Sequence, residues 1–202
     1  MKIKSLYKNL LILAFLIFAS CSSGMQKFTE TRFKMGTIVQ ITVFEKDKNL
    51  AHKQIDRGFA EIDRVAKRFW EGNPKSDIYK FNNRTSDTVE VSQEVAALIS
   101  RALLISKNTN GAFDMTVGTL KELYNFKKGE ERIPDSSQVH QVLPKIGYKK
   151  LQVNLNKNLL ISDNQNFKII TGAIVKGYAA DRALRVITEE NKNGVLVNAG
   201  GD

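Results

Sequence analysis

Gly172-Ala-Ile-Val-Lys-Gly-Tyr-Ala-Ala-Asp181 is the stretch on which the fold and the chemistry of this chain both turn. The residues before it, Phe167-Lys-Ile-Ile-Thr171, are rich in β-branched side chains and read as a strand, and a helical pattern follows from Asp181 to Glu190. In that reading Gly172 and Gly177 bracket a tight passage where backbone can approach a ligand closely. Lys176 lies between them as a cation. Helix-start N–H groups lack intrahelical partners, so a strand, a lysine-bearing turn and a helix form a physically sensible anion site. The spacing matches neither Gly-x-Gly-x-x-Gly nor a Walker loop. Alone, the stretch therefore reads as an ordinary strand-to-helix turn before it reads as an anion site.

Working outward, Gly194 to Asn198 reads as a last strand before Ala-Gly-Gly-Asp202. Upstream, Gly36 to Lys46 alternates, with Thr37, Val39, Ile41 and Val43 on one side. Asp47 is placed to cap a helix reaching about Trp70, in which Leu50, Ile55, Phe59, Ile62, Ala66 and Phe69 recur at helical spacing. Ser92 caps a second helix that ends at Asn110-Gly111. A short helix weakened by Gly118 follows, then another from Asp135 or Ser136 to Pro144. Short strands are expected at Thr88 to Val91, Leu151 to Leu155 and Leu159 to Ser162. The order lacks strict βαβ alternation, which predicts a mixed α/β (α+β) layered domain with a mixed, partly antiparallel sheet.

The chain has 202 residues and a net charge of +10, with 42% hydrophobic and 26% charged residues, which fits a folded body. Basic and acidic residues are interleaved without a basic block, so no nucleic-acid partner is expected. An anionic small molecule or an anionic lipid surface accounts for the balance more simply. Lys2, Lys4 and Lys8 precede an apolar run from Leu10 to Ala19, the pattern of a signal peptide over residues 1–20. The single cysteine of the chain, Cys21, follows Phe18-Ala-Ser, which resembles a bacterial lipobox. The expectation is a lipidated N-terminus and tether over 21–32, held at a membrane of the bacterial cell envelope and facing the periplasm or exterior. No disulfide is available. His52 and His140 sit among polar neighbours on amphipathic helices and read as surface histidines.

Five segments stand out in order: Phe33-Lys-Met-Gly-Thr37, Ser76-Asp-Ile-Tyr-Lys-Phe-Asn82, Asn110-Gly-Ala-Phe-Asp-Met-Thr-Val-Gly118, Ala173-Ile-Val-Lys-Gly-Tyr-Ala-Ala-Asp181 and Val197-Asn-Ala-Gly-Gly-Asp202. Together they resemble the ApbE family of flavin transferases. The resemblance implies an FAD:protein FMN transferase. Such an enzyme uses FAD as substrate with Mg2+, passes FMN to a Thr or Ser of an envelope redox protein, and releases AMP. Some relatives act mainly as FAD pyrophosphatases. Attack at phosphorus loads charge onto non-bridging oxygens, which a divalent metal and a lysine stabilise. Carried over by position, Met35 and Trp70 contact the flavin, Ala112, Phe113 and Asp114 form a flavin-nucleotide contact turn, Lys176 meets the nucleotide, and the Ala173 carbonyl binds the metal. Without the resemblance, Met35 and Phe113 read as core fillers and Trp70 as the close of an apolar helix face. Asp114 then reads as a cap, and Asp181 as the partner of Arg185 one turn on.

Two departures stand out. The family has an acidic residue entering the lysine segment, whereas this chain has Ile170 and Thr171. The family also continues past its Gly-Gly into a segment that completes the metal site. Residues 33–202 are therefore expected to be the N-terminal larger part of an ApbE-type domain that is C-terminally incomplete. An FAD pyrophosphatase, splitting FAD to FMN and AMP, and a non-catalytic, vestigial flavin-binding lipoprotein are the competing readings.

Overall fold

The computed structural model describes residues 24–126, 129 and 132–201. The signal segment and Cys21 lie outside the described residues. Among those described, no helix is long and apolar enough to cross a membrane.

The chain opens with strand β1 (Gln26–Lys34), which pairs antiparallel with β2 (Thr37–Glu45) along its whole length. Most of the stretch expected to be a tether is therefore sheet. The sequence conceals β1 because its inward side carries Glu30, Arg32 and Lys34 where an apolar alternation would be looked for. These residues dock on helix α1 (Lys48–Phe69) through polar contacts: Glu30 hydrogen-bonds the His52 ring at 2.7 Å, Lys34 meets Asp63 at 2.8 Å, and Arg32 pairs with Asp56 while lying 4.2 Å from the Phe59 ring centroid. β2 supplies the apolar inner face, with Val39, Ile41 and Val43 fully buried as their alternation predicts.

Helix α1 starts where Asp47 Oδ1 accepts from Leu50 N at 2.7 Å. It buries Ile55, Phe59, Ile62, Val65 and Phe69, whereas Leu50 stays exposed. Then come α2 (Asp77–Asn82), β3 (Thr88–Glu90), α3 (Gln93–Asn108), α4 (Gly118–Tyr124), α5 (Ser136–Val142), β4 (Gln152–Asn154), β5 (Leu159–Ile161), α6 (Gly172–Thr188) and β6 (Val195–Ala199). The strands form two antiparallel three-stranded sheets, ordered β1-β2-β6 and β3-β5-β4. The mixed α/β architecture expected from the sequence is observed.

Helix α6 departs from the sequence reading. It begins at Gly172, well before Asp181, so Lys176 and Gly177 are helical. Phe167 to Thr171 is no ladder strand, because its backbone is satisfied by other partners. Ile169 N donates to Asn82 Oδ1 at 2.8 Å and Ile169 O accepts from Asn82 Nδ2 at 2.9 Å. Lys168 N donates to Thr119 Oγ1, Gly118 N to Lys168 O and Ile170 N to Met115 O. The segment is pinned by the Asn82 amide, by Gly118 and Thr119 at the start of α4 and by the Met115 carbonyl before it, with Phe167 and Ile169 buried.

Helices α1 and α6 run antiparallel on the inner face of the first sheet. A β-carbon at Gly58 would lie 2.7 Å from Ile187 Cδ1 and 2.8 Å from Ile41 Cδ1, so a side chain there would displace the tips of both isoleucines where helix, helix and strand meet. A charged cluster bolts the same helices to α3. Arg64 bonds Glu94 through two nitrogens (2.7 and 2.6 Å) and Glu61 at 2.7 Å, while Arg182 reaches Glu61 at 2.9 Å and Tyr178 Oη donates to Glu94 at 2.8 Å. Hydrogen bonds from Arg64 hold the Glu61 and Glu94 carboxyls below the usual range. Burial, with Glu94 beside it, pushes the Tyr178 hydroxyl up to about 12. Asp181 forms no ion pair with Arg185 among the described residues, so that expected contact is replaced by Arg182–Glu61.

Gly58→Ala is expected to destabilise the protein by about 1–3 kcal/mol, the cost of overpacking a filled core, measured by denaturant unfolding. Equal stability would show that the crossing has slack. Glu94→Gln is expected to cost about 1–2 kcal/mol at pH 7, allowing for the partial exposure of Arg64. A depressed carboxyl stabilises fully above its unfolded value of about 4.3 and loses that contribution as pH falls through its lower folded value. The gap between wild type and variant should therefore begin to narrow as pH falls below about 4.3 and go on narrowing with further acidification, and a gap independent of pH across the acid range would refute the assignment.

Candidate functional site

The C-terminal end of α1, the N-terminal end of α6 and the β1–β2 turn together line a cavity of about 720 Å³. The turn contributes Met35, Gly36 and Thr37; the end of α1 contributes Ala66, Lys67, Phe69, Trp70 and Glu71; α6 and the residue before it contribute Thr171, Gly172, Val175 and Lys176. Cavities of this size suit a ligand as large as a nucleotide cofactor.

Met35 owes its position to backbone geometry. Lys34 pairs with Thr37, so the hairpin loop is the two residues Met35 and Gly36, with φ of 52° and 74°. Positive φ at both positions is the type I′ arrangement, which favours Asn-Gly. A methionine in the left-handed region costs about 1 kcal/mol, and here it turns a long apolar side chain towards the cavity. Trp70 ends α1 with extended backbone and remains 61% exposed. Ser76 Oγ donates to Trp70 O at 2.7 Å and Asn73 N donates to the same oxygen at 3.1 Å, so the loop after the helix holds the indole's backbone in place. Thr171 Oγ1 donates to Phe69 O at 3.1 Å and ties the start of α6 to the end of α1.

Lys176, with Lys67 across from it, gives the cavity a cationic wall beside an aromatic and a thioether. Such a lining can take a flat conjugated ring and a phosphate together. The glycines of the opening stretch play a smaller part than expected: β-carbons at Gly172 or Gly177 would meet nothing within 4 Å. The tight glycine-bracketed passage is replaced by the first turns of a helix, where Lys176 sits one turn in.

The other residues singled out from the sequence lie elsewhere. Ala173 faces a separate groove between α3 and α6, with Gly177 and Asp181. Ala112 is exposed and Phe113 packs partly against the core. Both oxygens of Asp114 are engaged, Oδ1 by Thr116 N and Oγ1 (2.8 and 2.7 Å) and Oδ2 by Tyr148 N at 2.8 Å. These three residues do not line the Trp70 cavity. Their turn is joined to it through the Ile170 N to Met115 O bond. Among the described residues no three His, Cys, Asp or Glu side chains gather as metal ligands. Ala173 lies within α6, where a carbonyl serves the helical ladder, so the residues present do not fit a magnesium cage, which needs several oxygen ligands in near-octahedral order. Sequence reasoning overlooked Lys67, Glu71 and Thr171. Lys67 could have been found from its place one turn before Trp70 on the same helix face.

Residues 35–202 match the ApbE family. The chain belongs to that family. It is 30% identical to the FAD:protein FMN transferase of Buchnera aphidicola subsp. Baizongia pistaciae, covering 96% of this chain and 59% of the relative. It is likewise 30% identical to the FAD:protein FMN transferase of Chlamydia pneumoniae, covering 86% and 55%. The crystal structure of the ApbE protein from Thermotoga maritima superposes with a TM-score of 0.80 at 30% identity, covering 87% of this chain and 57% of that one. The flavin transferase ApbE of Vibrio cholerae shares the fold with a TM-score of 0.78 at 20% identity. The chain spans a little over half the length of the curated relatives it matches. Within the ApbE family fold, the cavity falls between the Phe33–Thr37 and Ala173–Asp181 motifs, which the fold brings side by side.

Met35→Val is expected to lower stability by about 1–2 kcal/mol more than Met35→Asn, because a β-branched residue is poorly accommodated at positive φ while asparagine is tolerated. Chemical denaturation of the two variants checks this, and equal losses would contradict a type I′ turn.

Proposed function

We propose that this chain binds FAD in the Met35–Trp70–Lys176 cavity and belongs to the machinery of FAD:protein FMN transfer. In that reaction a Thr or Ser oxygen of a partner redox protein forms a bond to the FMN phosphorus. The bridging P–O bond breaks, and AMP leaves with the electron pair. The observation that carries this reading is the convergence of Met35, Trp70 and Lys176, far apart in the sequence, on one cavity with a second lysine. A ring held against Trp70 and Met35 and a phosphate met by Lys176 are what such a lining recognises.

The proposal extends to place and partner. Cys21, read as the lipidated first residue of the mature chain, anchors the protein at the cell envelope, where an envelope redox protein carrying the Thr or Ser acceptor is its partner. Magnesium dependence belongs to the same proposal, since a divalent cation neutralises charge on the transferred phosphate. The carboxylates it needs are not gathered among the described residues, so no step is routed through it. A second reading, FAD binding without turnover, is favoured by Ile170 and by that same lack of gathered carboxylates.

Trp70 is the sole tryptophan of the chain, so its emission reports on the cavity directly. Titration with FAD is expected to quench it saturably, and Lys176→Ala to weaken binding about tenfold or more, the scale of a lost hydrogen bond to a charged group. Absence of saturable quenching would remove the FAD reading. An FMN mass adduct on a Thr-containing acceptor, formed with FAD and Mg2+, separates transfer from binding without turnover.

A further inference from the structure

Glu71 stands where two cavities meet. It is the one carboxylate among the described residues lining the Trp70 cavity, and it also lines a neighbouring groove of about 510 Å³ that contains Lys121, Phe126, Lys168 and Ile170. Glu71 Oε1 accepts from Lys121 Nζ at 3.0 Å, and Oε2 has no hydrogen-bond partner among the described residues. The groove's other carboxylate, Glu122, has both oxygens taken by Lys168, at 2.7 and 3.0 Å. Ile170 offers only hydrocarbon to the same groove.

A bare carboxylate close to a diphosphate would repel it. The ion pair with Lys121 offsets that charge and orients the carboxyl, leaving one oxygen able to accept. The loop that follows is fixed by the Ser76 and Asn73 bonds to Trp70 O, which sets the backbone of the adjoining residue. We propose that Glu71, held by Lys121, is a binding residue that accepts a hydrogen bond from a hydroxyl or N–H group of the flavin dinucleotide at the seam between the two cavities. It thereby supplies the carboxylate that position 170 lacks. The inference rests on the FAD reading of the cavity.

The test is calorimetric titration of the full chain with FAD, alongside thermal melting without ligand. Glu71→Ala is expected to weaken binding about tenfold with the ligand-free melting midpoint unchanged, and adding Ile170→Asp to Glu71→Ala should restore most of the loss. Unchanged affinity in Glu71→Ala while Lys176→Ala binds weakly would overturn this inference and leave the FAD reading standing. Failure of Ile170→Asp to rescue a folded Glu71→Ala protein would overturn it too. No binding by the wild-type chain would overturn both.

Discussion

The closeness of α1 and α6 over β2 is the constraint from which the rest of the architecture follows. At Gly58 the absence of a β-carbon lets the tips of Ile41 and Ile187 fill the space between two helices and a strand. Further along the pair, Ala179 and Ala183 keep the approach close, and all are buried. The two helices end level with each other, α1 finishing at Phe69 and α6 starting at Gly172, where Thr171 Oγ1 donates to Phe69 O. The cavity lies at that shared end. Buried Phe69 and Val175 line it together with Met35 and Gly36 of the turn and Trp70 and Glu71 of the loop.

The charged cluster of Glu61, Arg64, Glu94, Tyr178 and Arg182 complements this packing. Three helices meet there, and each carboxylate oxygen finds a donor. Half-buried charges of this kind lend directionality where apolar contact alone would allow sliding. The cluster holds α6 through Tyr178 and Arg182, within two turns of Lys176. The β1 strand follows the same logic at the edge of the sheet, where Glu30, Arg32 and Lys34 dock through polar contacts and leave few apolar groups to mark them.

Chemically, the site gathers an exposed indole, a thioether in a strained turn and two lysines, with one carboxylate masked by a lysine at its rim. Such a set binds and orients; nothing in it is a nucleophile or a general base poised by its surroundings. That fits the proposed transfer, in which both the nucleophile and the leaving group would belong to other molecules and the protein would contribute by positioning and by electrostatics.

What the sequence determined by itself was everything governed by local pattern. The caps at Asp47 and Ser92, the alternation of Val39, Ile41 and Val43, the buried stripe of α1 and the family motifs are all written in short-range spacing. The tertiary structure alone decided whether Phe167 to Thr171 would be a strand, because its partners, Asn82, Met115 and Thr119, are distant in the chain and two of them act through side chains, the Asn82 amide mimicking a strand edge. It also decided that α6 starts at Gly172, that β1 is sheet, and that Met35, Trp70, Lys176 and Glu71 share one wall while Ala112 to Asp114 do not. Those are questions of which long-range contact satisfies a backbone group or buries a surface, and only the assembled fold has the partners that answer them.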